Sequence, residues 1–114
     1  MIFDPKYPIY IYNDYTDMRK GHNTLSYIVN EKMELDLMSG ALFLFVAKNR
    51  KSTKALFFDG NGLLLIHKKL EKGRFMSFDK LTEVTEINSN ELTLILNGGQ
   101  LPLSKSGKKI SLKK

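Results

Sequence analysis

ALFLFVAKNRKSTKALFFDGNGLLLIHKKLEKGRF, residues 41–75, contains the three apolar runs that decide the fold: ALFLFVA (41–47), KALFF (54–58) and LLLI (63–66). Short apolar runs bounded by turn residues predict strands, and connections this short predict antiparallel pairing. Asn61-Gly62 in the second connection is typical of a tight hairpin turn that needs a positive φ. The stretch therefore predicts a three-stranded β meander.

The apolar residues of these strands are continuous, whereas a strand with one solvated face would alternate apolar and polar residues. We therefore expect both faces of the sheet to be covered. One face is assigned to a helix, and the other to a second helix, to the N-terminal segment or to another chain.

Two elements are predicted before the meander. YPIYIYND (7–14) alternates aromatic and β-branched residues next to prolines, which favours a short edge strand. NTLSYIVNEKMEL (23–35) places apolar residues at intervals of three and four, which predicts a helix of about three turns. Asp17 and Asn23 are both candidates for its N-cap.

After the meander, residues 88–97 have two interpretations. Asn88 followed by Glu91 resembles a capping box, and Gly98-Gly99 is a stop signal, so we favour a short helix. The alternative is a hairpin between EVTEI and ELTLIL. The last ten residues are polar and basic without a clear period, which predicts a loosely ordered tail.

Together these elements predict an α+β fold. We expect one domain over residues 1–104, a small antiparallel β meander of three core strands plus an N-terminal edge strand, packed with two short helices, followed by the basic tail 105–114. The chain has no cysteine, so burial must stabilise the fold. No apolar run approaches the ~20 residues of a membrane helix, and Asp4 interrupts any signal core, so we expect a cytoplasmic protein without membrane contact.

The net charge of +6 is unevenly distributed along the sequence. Residues 1–40 carry −2, residues 41–74 carry +6, residues 75–104 carry −3 and the tail carries +5. Such asymmetry indicates a charged surface rather than a uniformly basic protein.

The predicted meander brings two basic segments to one end of the sheet. The loop after the first strand (48–52) and the stretch after the third (67–74) both lie opposite the Asp59 turn. Their cations could span several phosphates, and phosphate contacts supply most nonspecific affinity for nucleic acid. Solvated lysines that keep edge strands from pairing are the alternative interpretation. The predicted nucleic-acid contacts are Arg50, Lys51, Lys54, Lys68, Lys69, Lys72 and Arg74, with Arg19 and Lys20 included if the first helix delivers them to the same side.

Signals for catalysis are weak. His22 and His67 stand alone, and no residue near them in sequence has metal-ligand spacing. Asp17, Asp59 and Glu71 could be drawn as a magnesium site, but Asp is the usual residue at a helix cap and in a Gly-rich turn. We therefore predict no catalytic residue, no metal, no cofactor and no enzymatic activity.

Several blocks resemble one known family. YTDMRKG (15–21), LFLF (42–45), KALFFDGNGLLLIHKKLEKGRF (54–75) and the Leu-rich segment before Gly98 resemble the small accessory protein TnpB of the IS 66 insertion sequences, the Orf-two-like proteins. This chain departs from the family at two places. Family members often carry Trp before the Asp-Gly turn, where this chain has Phe57-Phe58, and they often carry Arg at the position of Lys69. The lysine tail matches no family block.

The resemblance implies a bacterial mobile-element protein that supports transposition beside a separate transposase, without catalytic residues of its own. We expect a non-catalytic accessory factor that binds DNA through backbone phosphates. The alternative is an adaptor that docks on the transposase or on the second accessory protein and never touches DNA. Its basis is the doubly apolar strands and Tyr7, Tyr10, Tyr12 and Tyr15, which could form an exposed aromatic surface. Homo-oligomerisation is left open.

Overall fold

A computed structural model describes residues 3–111 as one five-stranded mixed sheet with helices on both faces. The strand order is β4-β3-β2-β1-β5. The strands are β1 (Ile9–Tyr15), β2 (Leu42–Val46), β3 (Ser52–Phe58), β4 (Leu63–Lys69) and β5 (Thr85–Ile87). The predicted α+β class is confirmed.

The central meander forms as the apolar runs predict. β2 pairs antiparallel with β3, and β3 pairs antiparallel with β4. In the β3–β4 turn, Oδ1 of Asp59 accepts hydrogen bonds from the N–H groups of Asn61 (3.2 Å) and Gly62 (3.0 Å). The positive φ belongs to Gly60 (113°), so its prediction at Asn61-Gly62 is wrong, because the Asp59 side chain closes the turn one residue earlier.

The predicted edge position of the N-terminal strand is wrong. β1 lies between β2 and β5, parallel to the first and antiparallel to the second. Pro5 and Pro8 precede the strand, so they remove no ladder donor from it, and the Pro8 carbonyl accepts a hydrogen bond from the Leu42 N–H (3.0 Å). The edges of the sheet are β4 and the three-residue β5.

The first helix is shorter and less regular than predicted. The α-helix α1 spans His22–Tyr27 and continues as one π-helical turn, Ile28–Lys32. Gly21 is the N-cap and no side chain caps the helix, so neither Asp17 nor Asn23 takes that role. The two pieces together still give about three turns, and a 3-10 turn at Leu37–Ser39 follows.

The second helix confirms the capping-box interpretation over the hairpin. α2 spans Ser89–Leu96. The Asn88 side chain accepts a hydrogen bond from the Glu91 N–H, and the Asn88 N–H donates to Oε1 of Glu91, both at 2.9 Å. Gly98 ends the helix with a φ of 86°. The preceding EVTEI segment supplies β5 instead of a hairpin arm.

Both faces of β2 and β3 are covered, as predicted, whereas β4 has no buried residue, so the prediction is wrong for that strand. Leu42, Leu44 and Val46 point toward α2 and the C-terminal segments. Phe43 and Phe45, which alternate with them, point toward α1 and the turns that follow it. All five residues of β2 are buried, which explains why its sequence shows no alternation.

Part of the segment predicted as a tail contacts the domain. Leu103 and Lys109 form an isolated β-bridge, and the Ile110 N–H donates to the Pro102 carbonyl (2.8 Å). The Lys109 ammonium pairs with the buried Glu91 carboxylate at 2.7 Å. Residues 112–114 lie outside the described part of the chain.

Candidate nucleic-acid interface

Three chain segments meet at one end of the sheet, which we call the basic end: residues 16–21, 47–51 and 69–75. The parallel pairing of β1 with β2 brings the first two together, and the Thr16 N–H donates to the Val46 carbonyl (2.9 Å). The third is held against the second, because the Leu70 and Phe75 N–H groups donate to the carbonyls of Lys51 (2.9 Å) and Arg50 (2.7 Å).

The basic end carries eight basic residues and two acidic ones, a net charge of +6. Among residues 3–111, seven of these cations form no ion pair with a carboxylate: Lys20, Lys48, Arg50, Lys51, Lys69, Lys72 and Arg74. Six of the seven are exposed and Arg50 is half-buried. Cations that are free and solvated can each contact an incoming phosphate without first breaking an ion pair.

Arg19 is the basic residue at this end that is already paired. Its guanidinium donates to both carboxylate oxygens of Asp17, with the shortest contact at 2.7 Å, and its N–H also donates to that side chain (2.9 Å). These bonds hold the pKa of Asp17 well below its ordinary value. Arg19 is nevertheless highly exposed, so one face of its fork remains open to solvent. Lys20, the next residue, is exposed as well.

Lys54 is at the same end but is buried. Only 8% of its surface is exposed, and its ammonium donates to the Lys20 carbonyl at 2.8 Å. The bond ties the loop after β1 to β3. Sequence reasoning placed Lys54 among the contacts, and the structure places it beneath the loop that carries Arg19 and Lys20.

Lys68 and Lys69 lie on opposite faces of β4. Lys68 pairs with Thr53 and Lys69 with Ser52, and adjacent residues of a strand point to opposite sides. The Lys68 ammonium donates to the Leu96 carbonyl at 2.7 Å, at the C-terminus of α2, where a cation is favoured by the helix dipole. Lys69 is exposed on the other face.

Arg50 has an unusual backbone conformation. Its φ is 61°, in the left-handed region that non-glycine residues enter at a cost. The conformation is fixed by hydrogen bonds, since the Arg50 N–H donates to the Ala47 carbonyl (2.9 Å) and the Arg50 carbonyl accepts from Phe75. A strained residue held in place by its surroundings is often a functional one.

The tyrosines do not form one aromatic surface. Tyr10 stacks on Phe43 with ring centroids 6.0 Å apart, and Tyr12 packs against Phe45 at the same distance. Tyr15 belongs to the opposite cluster and shares a hydrogen bond with Ser77 (3.0 Å). The exposed aromatic surface that the sequence suggested is therefore absent from the described residues.

An apolar groove of about 350 Å³ is found elsewhere, between α2 and the β3–β4 side of the sheet. Phe3, Ala55, Phe57 and Leu92 line it, and Ile66 at its margin is 46% exposed. Sequence reasoning missed this groove, because β4 looked like a fully covered strand.

Metal sites and membrane-spanning helices are both absent from residues 3–111. Within residues 3–111, no three His, Asp or Glu side chains are close enough to hold a metal ion. No helix in that part of the chain has the length and apolar character needed to cross a membrane.

Comparison with protein families adds the biological setting. The family model described as "IS66 Orf2 like protein", TnpB_IS66, matches residues 7–105. The chain belongs to this family. Two blocks that carried the resemblance, residues 15–21 and 54–75, contribute residues 16–21 and 69–75 to the basic end of this IS66 Orf2-like protein.

Two curated relatives come from Sinorhizobium fredii (strain NBRC 101917 / NGR234). "Uncharacterized protein y4hO" is 31% identical over 90 residues, which cover 79% of this chain and 78% of the relative. "Uncharacterized protein y4jC" is 29% identical over 82 residues, which cover 72% and 70% respectively. No solved structure matches this IS66 Orf2-like protein.

Proposed function

We propose that this IS66 Orf2-like protein is a non-catalytic accessory factor of transposition that binds DNA through backbone phosphates at the basic end. Family membership supports the accessory role in insertion-sequence transposition. The observation that carries the DNA-binding part is the convergence of three basic segments, with seven cations free of carboxylate partners among residues 3–111.

The contacts are divided by what each side chain already does. Six cations are the principal contacts: Lys48, Arg50, Lys51, Lys69, Lys72 and Arg74. Lys20 and the open face of Arg19 extend this set along the loop after β1. Lys54 and Lys68 act as supports, because their ammonium groups are bonded to the carbonyls of Lys20 and Leu96. Binding of this kind positions the protein on the duplex without reading bases.

A salt titration of DNA affinity tests the proposal. Fluorescence anisotropy of a labelled duplex should give an association constant that falls linearly with salt concentration on a log-log plot, with a slope of about −0.9 per phosphate contacted. The double variant Lys69→Gln, Lys72→Gln should weaken binding to all sequences alike and reduce the slope by about two units.

The matched control is Lys32→Gln with Lys105→Gln. Both lysines are exposed and lie outside the basic end, and the double variant lowers the net charge by the same two units. Equal loss of affinity in the two variants would show that net charge, not the basic end, attracts DNA. An affinity of the wild type that does not depend on salt would contradict the proposal outright.

The second candidate is an adaptor for the transposase or for the other accessory protein, and the apolar groove favours it. The partially exposed Ile66 and the aromatic wall of Phe3 and Phe57 could accept an apolar side chain of either protein. Ile66→Glu should then abolish co-purification with the purified transposase in nuclease-treated buffer while leaving DNA affinity unchanged. Unaltered co-purification of this variant would remove the groove from consideration.

A further inference from the structure

A cleft of about 700 Å³ lies within the basic end, between residues 15–19 and residues 47–49. Its two walls follow the parallel strands β1 and β2, and the Thr16 N–H bond to Val46 joins them at the base. Most of the lining residues lie in the loops that directly follow these two strands, and the Thr16–Val46 hydrogen bond holds the two loops side by side.

The side chains that line the cleft are those that contact phosphate in other proteins. Lys48 contributes a charge that no carboxylate among residues 3–111 neutralises. Asn49 uses its Oδ1 to accept from the Lys51 N–H (2.9 Å), and within the described residues its amide nitrogen makes no hydrogen bond. Ser52 adds a hydroxyl on the β3 side.

Thr16 is the second, independent observation. The residue borders the cleft and is only 6% exposed, and its Oγ1 is buried without a hydrogen-bond partner among residues 3–111. A buried hydroxyl without a partner is costly and rare, so it calls for an explanation. Rotation about the Cα–Cβ bond redirects this hydroxyl without any movement of the backbone.

The electrostatics of the cleft favour an anion. Asp17 is the acidic residue in its lining, and Arg19 neutralises it through bidentate hydrogen bonds. Since the pair sums to zero, the remaining charge of the lining is the +1 of Lys48, and Lys20, Arg50 and Lys51 follow nearby in the sequence.

We propose that this cleft is a subsite for a single phosphodiester group of DNA, in which Lys48 supplies the charge and Thr16 and Asn49 supply hydrogen bonds. The proposal rests on the DNA-binding function above and adds a defined docking point to it. The other cations of the basic end then contact neighbouring phosphates along the strand.

Two variants separate the subsite from the rest of the basic end. Thr16→Val keeps the shape of the side chain and removes its hydroxyl, and Lys48→Gln removes the charge. Each should weaken DNA binding about tenfold at low salt, as expected for a lost hydrogen bond to a charged group. Lys48→Gln should also reduce the salt slope by about one unit, whereas Thr16→Val should leave the slope unchanged.

The matched controls are Thr16→Ser, which retains the hydroxyl, and Lys32→Gln, which removes a charge outside the basic end. Thr16→Ser should bind DNA more tightly than Thr16→Val, and Lys32→Gln should bind DNA as the wild type does. Thermal unfolding separates binding from a purely structural role of Thr16. Thr16→Val should melt at the same temperature as the wild type or higher, because a buried hydroxyl without a partner has been removed, whereas loss of a structural hydrogen bond would lower the melting temperature.

Amide chemical shifts of the full chain test the subsite directly with inorganic phosphate, at an ionic strength held constant with chloride. Saturating shifts at residues 16–19 and 47–49 that Thr16→Val abolishes would support the subsite. Wild-type DNA affinity in both Thr16→Val and Lys48→Gln would overturn it and leave the proposed function intact. A wild-type protein that binds no DNA would refute the proposed function, and the phosphodiester subsite with it.

Discussion

The substitution Lys109→Met should destabilise the domain by about 3 kcal/mol, because it removes an ammonium group that pairs with a buried carboxylate. Glu91 is fully buried, and its Oε1 lies 2.7 Å from the Lys109 ammonium, whose side chain is itself 19% exposed. Methionine has a similar length and no charge, so the packing of the side-chain stem is retained.

The magnitude follows from what remains at Glu91. Removal of one partner of a buried ion pair costs about 3–5 kcal/mol. The Asn88 N–H still donates to the same carboxylate oxygen at 2.9 Å, so the lower end of that range applies. In the double variant Glu91→Gln, Lys109→Met both charges of this pair are removed, and the glutamine oxygen can still accept from Asn88. The double variant should therefore recover more than half of the lost stability.

Urea unfolding followed by far-UV circular dichroism measures the effect. With an m-value of about 2 kcal/mol/M, the midpoint of Lys109→Met should fall by about 1.5 M. Lys108→Met is the matched control, since its partner Glu83 is 3.4 Å away and both side chains are exposed. Such an exposed pair contributes about 0–1 kcal/mol. A loss in Lys109→Met no larger than that in Lys108→Met, or a double variant less stable than the single, would refute the reasoning.

Three further predictions concern the basic end. Arg50→Gly should raise the free energy of unfolding by about 0.5–1 kcal/mol, since relief of the left-handed φ outweighs the entropy of glycine, and should weaken DNA binding in the same titration. Lys68→Gln should lower thermal stability, because the bond to the Leu96 carbonyl at the end of α2 is lost, and should change the salt slope little. Lys69→Gln should leave thermal stability unchanged and reduce the salt slope. Identical behaviour of the two variants would contradict their placement on opposite faces. Because Arg19 lowers the pKa of Asp17 from its ordinary value of 3.8, the stabilisation by this pair is complete above that pH and is lost only as the pH falls through the lower folded pKa; the Asp17 carboxyl carbon shift should therefore stay constant from pH 8 to about 4.

Local signals predicted the elements whose structure depends on neighbouring residues. The capping box of Asn88 and Glu91 requires only residues three apart, and it forms as expected. The unbroken apolar run of β2 predicted burial on both faces. The structure agrees, since Phe43 and Leu44 belong to hydrophobic clusters on opposite faces of the sheet. The meander followed from short connections that permit no other pairing.

The pairing of strands that are distant in the chain could not be predicted from the sequence. Nothing in YPIYIYND specifies a parallel partner 33 residues downstream, yet Ile9 pairs with Leu42. The three-residue β5 is too short to produce a detectable pattern, and it is β5 that turns β1 into an internal strand. Two of the predicted contacts also depended on distant carbonyls, since the ammonium of Lys54 is held by Lys20 and that of Lys68 by Leu96.

The parallel pairing of β1 with β2 has a direct electrostatic consequence. In a purely antiparallel sheet the segment 16–21 would leave β1 at the opposite end, and Arg19 and Lys20 would be separated from the other cations by the length of a strand. Parallel pairing places them with residues 47–51 and 69–75, so that one end of the molecule carries +6. The other ten basic residues of the chain are balanced by ten acidic ones. The net charge of these three segments therefore equals that of the whole chain, and under the proposed function the field of a DNA duplex should orient the basic end toward the phosphates before contact is made.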